Sequence, residues 1–291
     1  MPRTATARSA ATHVTPQKWT AVRAAMDEFG ERFAALIESA PDASRPATEH
    51  WSAAETAAHV TSVACNYAAL AAGEELPTPD MSRLMAMTTV DNLGTEANPA
   101  QLRSFTERDP ERLAERLRTA IRELLAHTAD ADPGSLIDWL GGSRLPLAGA
   151  LAHMVNEMHI HGRDIARGIG APWRIPEDQA GLFFDLFLVE ICRNGTGILL
   201  DDDRPVRPGR ISVEFRSAYT APATIVLTDG VVSAEEPRGD ADVRIRFRPA
   251  ALNLMLFHRV GVARTALSGA VVVTGRRPWL LPAFLRKVRM P

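Results

Sequence analysis

The chain has 291 residues, 46% of them hydrophobic and 23% charged, which excludes intrinsic disorder over most of its length and leaves room for two cores. Lys and Arg number 33 against 35 Asp and Glu, so there is no positive field to recruit nucleic acid or anionic lipid, and no partner of either kind is expected. The two cysteines, Cys65 and Cys192, have the spacing of neither a zinc knuckle nor a disulfide framework, and read as buried thiols in a reducing cytoplasm.

Residues 1 to 14 are rich in Ala, Thr and Arg, lack the apolar stretch of a signal peptide and are expected to fray. From Gln17 to Ser39, the residues Trp19, Val22, Met26, Phe29, Phe33 and Leu36/Ile37 recur at helical steps and predict a first helix with one buried face. After the break PDASRP comes Ser52-Ala53-Ala54-Glu55, the spacing of a capping box, so a second helix is predicted from Ser52 to about Ala72. Residues 73 to 106, with a cluster of Met81, Met85 and Met87, read as a long loop with at most one short helix, and could form a lid. Asp109-Pro110 opens a third helix through about Thr128, with Leu113, Leu117, Ile121 and Leu124 on its buried stripe. A fourth begins near Pro146 and stops at Gly168 or Gly170. Four helices with one long crossover make a four-helix bundle.

Beyond GAPWRIPED the pattern changes. A helix over 178 to 192 contains the most apolar run, GLFFDLFLVEIC, but Asp185 and Glu190 interrupt it, so no membrane span is expected. Alternating runs at 211, 223 and 242 read as strands, with Asp229-Gly230 as a hairpin turn before VVSAE. A helix from Pro249 to His258, a strand near 270 and a terminal helix from Pro278 complete an α+β unit. The expected organisation is thus a two-domain α+β protein, with a bundle over 15–170 and a mixed-sheet domain over 177–291, and a monomeric or homodimeric state.

The stretch ALAHMVNEMHIHGRD, 150 to 164, concentrates three histidines and two carboxylates on the fourth helix. At about 100° per residue, His153, Glu157, His161 and Asp164 fall within about 40° of one line, while His159 points to the opposite side. Glu157 and His161, four residues apart, can reach one cation, and the second helix offers His59 on a polar strip with Ser62 and Asn66. His59, Glu157 and His161 would form a His2Glu set with open coordination positions; the plainer alternative is that each is a hydrogen-bonded residue at the edge of the core. His153 and Asp164 are expected behind the ligands, Asp164 being the better placed to orient an imidazole. Arg244, Arg246 and Arg248 alternate with Val243, Ile245 and Phe247, so Arg244 and Arg246 could clamp a substrate carboxylate if their strand face looks at the bundle, and otherwise form an ordinary solvated face.

Two motifs carry a resemblance. WSAAETAAHV, 51 to 60, and NEMHIHGRDIARGIG, 156 to 170, resemble the mycothiol-dependent maleylpyruvate isomerase family of actinobacteria. The resemblance implies a DinB-like bundle in which His59, Glu157 and His161 hold a divalent metal, usually zinc. GDADVRIRFRPAALNLMLFHR and ALSGAVVVTG resemble a sterol-carrier-like domain, which commonly follows that bundle. The implied function is activation of mycothiol for addition to an electrophilic small molecule, as a cis-trans isomerase or an S-transferase. Arg163 stands where family members often carry an aromatic residue, a departure that leaves maleylpyruvate itself open as the substrate. The competing reading is a noncatalytic small-molecule or lipid binder whose metal is structural; a closed structural site would want a fourth ligand, and only His153 is near.

Overall fold

The computed structural model describes residues 13–76 and 81–290. Of the expected frayed tail, residues 1–12 lie outside this range. His13 does not fray: it is buried, and its backbone N–H donates to Glu190 Oε1 at 2.9 Å, which ties the start of the chain to its middle.

Helix α1 (Pro16–Glu38) buries Val22, Met26, Phe29, Phe33 and Ile37, the face marked out by the apolar spacing. Helix α2 (Ala53–Ala72) begins with both bonds of the capping box in place, Glu55 N to Ser52 Oγ at 3.2 Å and Ser52 N to Glu55 Oε2 at 2.8 Å. Such a cap stabilises a helix by about 1 kcal/mol. The expected loop that follows is more structured than its composition suggested. It holds α3 (Met81–Ala86), α4 (Val90–Asn92), a π-helical turn over Leu93–Ala97 and α5 (Asn98–Ser104). Thr89 caps α4 through its own side chain and Asn98-Pro99 opens α5, local signals too short to register as helical periodicity.

Helix α6 (Pro110–His127) is capped by Asp109, and a small hairpin of β1 (Leu136–Asp138) and β2 (Arg144–Pro146), which the sequence pattern did not suggest, leads into α7 (Leu147–Ile169). Gly170 ends α7 in the left-handed conformation, φ 76°. Helices α1, α2, α6 and α7 pack as a four-helix bundle.

The chain then runs through α8 (Glu177–Leu182), a π-helical stretch over Phe183–Leu188 and α9 (Val189–Asn194). This segment joins the two halves. One side lies on α7 so closely that a Cβ on Gly149 would sit 2.5 Å from Leu186 O. The other side packs on the sheet, Phe184 lying 4.9 Å from the Phe247 ring and 5.4 Å from Phe215. One hydrophobic core therefore runs through both halves.

Strands β3 (Arg210–Arg216), β4 (Ala223–Thr228), β5 (Val231–Glu235), β6 (Val243–Phe247) and β7 (Val271–Thr274) form a mixed sheet in the order β5-β4-β3-β6-β7. Only β3 and β6 are parallel, and α10 (Pro249–Leu256) and α11 (Val262–Leu267) connect β6 to β7. A 3-10 turn over Pro278–Leu280 and α12 (Leu281–Leu285) end the described fold. The architecture is α+β, a helical N-terminal region and a five-stranded C-terminal sheet. No described helix is long and apolar enough to cross a membrane.

Candidate metal centre

The bundle brings His59 on α2 against Glu157 and His161 on α7. His59 Nε2 lies 3.2 Å from Glu157 Oε2, and His161 Nε2 lies 3.6 Å from the same oxygen. One ligand atom from each of the three residues falls within 4.8 Å of the others, and all three side chains are buried.

The far nitrogens decide what the near ones can do. His59 Nδ1 is 2.9 Å from Gln101 Oε1, an acceptor, and His161 Nδ1 is 3.3 Å from Asp164 Oδ2, off the line of a regular hydrogen bond. Each acceptor favours the tautomer with its proton on Nδ1, which leaves Nε2 with a lone pair aimed inward. Two imidazole lone pairs and a carboxylate then converge with too few protons to share among them. A divalent cation answers that arrangement, and the donor set suits zinc or a similar ion.

Glu157 is held from its other side as well. Trp139 Nε1 donates to Tyr67 Oη at 2.9 Å, Tyr67 Oη is 3.1 Å from His153 Nδ1, and His153 Nε2 is 3.5 Å from Glu157 Oε1. Since the indole can only donate, the tyrosine hydroxyl is free to donate onward, which places the His153 proton on Nε2, facing the carboxylate. Burial pushes the His153 imidazole toward its neutral form. Burial would also push the Glu157 carboxyl up, but the three imidazoles around it outweigh this and hold the carboxyl far below the usual range.

Asp164 is buried and links the two halves of the protein. Arg259, which follows the left-handed His258 (φ 59°) after α10, donates to it from Nη2 at 2.7 Å and from Nε at 3.1 Å. Burial raises the Asp164 carboxyl, while the nearby His161 ring and the hydrogen bonds from Arg259 more than offset this and keep it below its ordinary value.

These groups line a cavity of about 910 Å3 that is bounded by the bundle, the 81–101 segment, α9 and the C-terminal segment. Asn66 lines it, as do His153 and Asp164. Arg244 and Arg246 do not, which corrects the expectation that they could reach a substrate. Val243, Ile245 and Phe247 point toward the buried helices, so period-two alternation turns the arginines to the other side of the sheet. There Arg244 lies 3.8 Å from Glu214, and Arg246 is exposed. The arginines that do line the cavity are Arg167, Arg259 and Arg289.

Sequence reasoning missed Gln101, Tyr67, Trp139 and Arg259 as site residues. None lies in the α7 stripe, and each arrives from an element whose approach depends on the tertiary fold. Cys192 also lines the cavity, but burial pushes its thiol up to about 12, so it stays protonated. His159, on the opposite side of α7, sits edge-on to Phe29 at 4.2 Å with no regular hydrogen bond to either ring nitrogen, and burial lowers its pKa to about 3.

No significant sequence match is found among curated proteins. Two solved structures of a mycothiol-dependent maleylpyruvate isomerase, one a histidine-to-alanine mutant, are similar at 16% identity over 91% of this chain and 95% of theirs, with TM-scores of 0.48 and 0.47. Residues 22–166 match the family model described as the mycothiol maleylpyruvate isomerase N-terminal domain. Through this helical half, which carries His59, Glu157 and His161, the chain belongs to the mycothiol maleylpyruvate isomerase family.

Proposed function

We propose that His59, Glu157 and His161 hold a divalent cation, zinc being the expected ion, and that the protein uses it to activate a low-molecular-weight thiol, mycothiol, for addition to an electrophilic small molecule. The observation that carries the proposal is the convergence of the His59 and His161 imidazoles on the buried Glu157 carboxylate, all three lining one large cavity. A divalent cation held by two neutral imidazoles and one carboxylate keeps a net positive charge, and lowers the pKa of a thiol at its open position into the neutral range.

The chain's own groups do the rest. Gln101 and Asp164 fix the ring orientations of His59 and His161, and the Trp139–Tyr67–His153 series steadies Glu157. Arg259, anchored by Asp164, stands beside His161 where an oxygen of the electrophile would gather negative charge as its double bond opens. With Cys192 held as the thiol, the nucleophile comes from outside. Addition of its sulfur turns a conjugated double bond into a single bond; rotation and expulsion would give a cis-trans isomerase, and retention of the adduct an S-transferase. The apolar part of the cavity favours a second reading, a protein that only stores an apolar molecule.

Metal analysis of the wild type and His59→Ala, followed by titration of the cobalt-substituted protein with mycothiol, separates the two. Stoichiometric metal that is lost in His59→Ala, with a thiolate-to-cobalt absorption band on adding thiol, is the expected outcome. Metal without the band favours storage, and no metal ends the proposal.

A further inference from the structure

The cavity is poorly matched to a small dianion. Its cations are already engaged. Arg259 is held by Asp164 through two donors, and Arg289 makes a two-pronged contact with Asp91 at 2.7 and 3.0 Å and lies 3.4 Å from Asp202. Arg167 is the remaining lining arginine, and among the described residues no carboxylate contact of it is recorded. Two carboxylates brought into this space would lose their water with Arg167 and the proposed cation as the uncommitted positive groups to meet them, and the cation's open position is already claimed by the thiol.

Most of the cavity's lining surface is apolar. Met85, Leu93, Leu140, Leu188, Leu200 and Val288 come from five separate parts of the chain and face one space. A polar low-molecular-weight thiol has no use for that wall. A large, mostly apolar cavity that contains one cluster of candidate metal ligands fits a ligand whose reactive group is at one end and whose body is hydrocarbon.

We infer that the electrophile handled at this site is a predominantly apolar molecule, an unsaturated aldehyde or ketone with a hydrocarbon body of about ten carbons, rather than a short dicarboxylate. The inference rests on the proposed function and names its substrate class. In the reaction, the thiol sulfur bonds to the carbon β to the carbonyl and the double-bond electron pair moves toward the carbonyl oxygen. Reprotonation at the α-carbon completes a net addition of S–H across the double bond, with no oxidant or reductant required. Arg259 would face the carbonyl end, and the hydrocarbon would lie along Met85, Leu93 and Leu188.

The test uses the full chain, loaded with metal and supplied with mycothiol. Thiol-dependent consumption is compared for trans-2-decenal and maleate, each corrected for its uncatalysed rate, and binding of the neutral fluorescent probe N-phenyl-1-naphthylamine is followed in parallel. The expected kcat/KM advantage of the long aldehyde, in excess of any intrinsic reactivity difference, is at least about 100-fold, from the several methylenes it buries. The probe should bind and be displaced by decenal but not by maleate. Met85→Glu and Leu93→Glu, at half-buried positions in the cavity wall, should cut that advantage about 10-fold while metal content and the thiol band persist, which also shows that the variants fold. Equal rates or a preference for maleate, with metal and band intact, would overturn the inference and leave the proposed function standing. Loss of metal or band in the wild type would overturn the proposed function, and the inference with it.

Discussion

The ionisable stripe on α7 and the arginine stripe on β6 obey the same kind of rule. A helical period sets His153, Glu157, His161 and Asp164 on one line, and a strand period sets Arg244, Arg246 and Arg248 on another. The first stripe faces α2 and lines a cavity; in the second, Arg244 lies near Glu214 and Arg246 is exposed, while Arg248, just past the end of β6, reaches Glu177 at the start of α8. Periodicity determines which residues share a face. What that face looks at is decided by the packing of the opposite face: Phe247 seats β6 against Phe184 and so commits the arginines to the outside.

The comparison can be broken most directly at the helix. Glu157→Gln removes the one charged ligand, and metal affinity should fall by more than about 100-fold, beyond the range seen when only a supporting group is lost; calorimetric titration of the apo-protein with zinc reads this. Unchanged affinity would reduce the α7 stripe to a buried polar cluster. A smaller effect follows from removing the acceptor behind His59: Gln101→Leu should weaken binding by about 10- to 100-fold and shift the visible spectrum of the cobalt form, while thermal unfolding of the apo-protein changes little.

His159 sharpens the comparison within one helix. Burial holds its folded pKa near 3, against 6.5 for a free imidazole, so from pH 6.5 down toward 3 the unfolded chain takes up a proton there that the folded chain does not. Stability contributed by this group is complete above about pH 6.5 and declines by up to about 1.4 kcal/mol per pH unit below it. His159→Phe should flatten the acid side of a denaturation series by that slope and leave neutral stability unchanged or raised, because neither ring nitrogen has a regular hydrogen bond to lose. The smallest effect belongs to the strand. Arg246→Ala should change stability by no more than about 0.5 kcal/mol and leave metal content and thiol binding as they were.

Much of the bundle was legible because its signals are local. The capping box at Ser52, Asp109-Pro110 at α6 and the Gly170 stop each fix a helix end through bonds within a few residues. The stripe on α7 was legible for the same reason. The 81–104 region was not, since its helices are too short to show a period and are held by contacts such as Val90 N to Leu199 O at 2.8 Å, more than a hundred residues apart in sequence. Arg259 was hidden in the same way: nothing near FHR signals that its guanidinium reaches Asp164 across the boundary between the two halves. The arginines of β6 were misleading because alternation names two faces without saying which one is covered.

Trp51, just before α2, lies with its ring 5.0 Å from that of His59 and 6.1 Å from that of His161. Of the five tryptophans, it and Trp139 line the cavity, and the other three do not. Indole emission responds to the charge and electron density of whatever touches the ring. The molecule therefore carries an optical gauge of its own occupancy: filling or emptying the space between the two imidazoles will change the brightness and colour of Trp51, readable without a label and on the timescale of mixing.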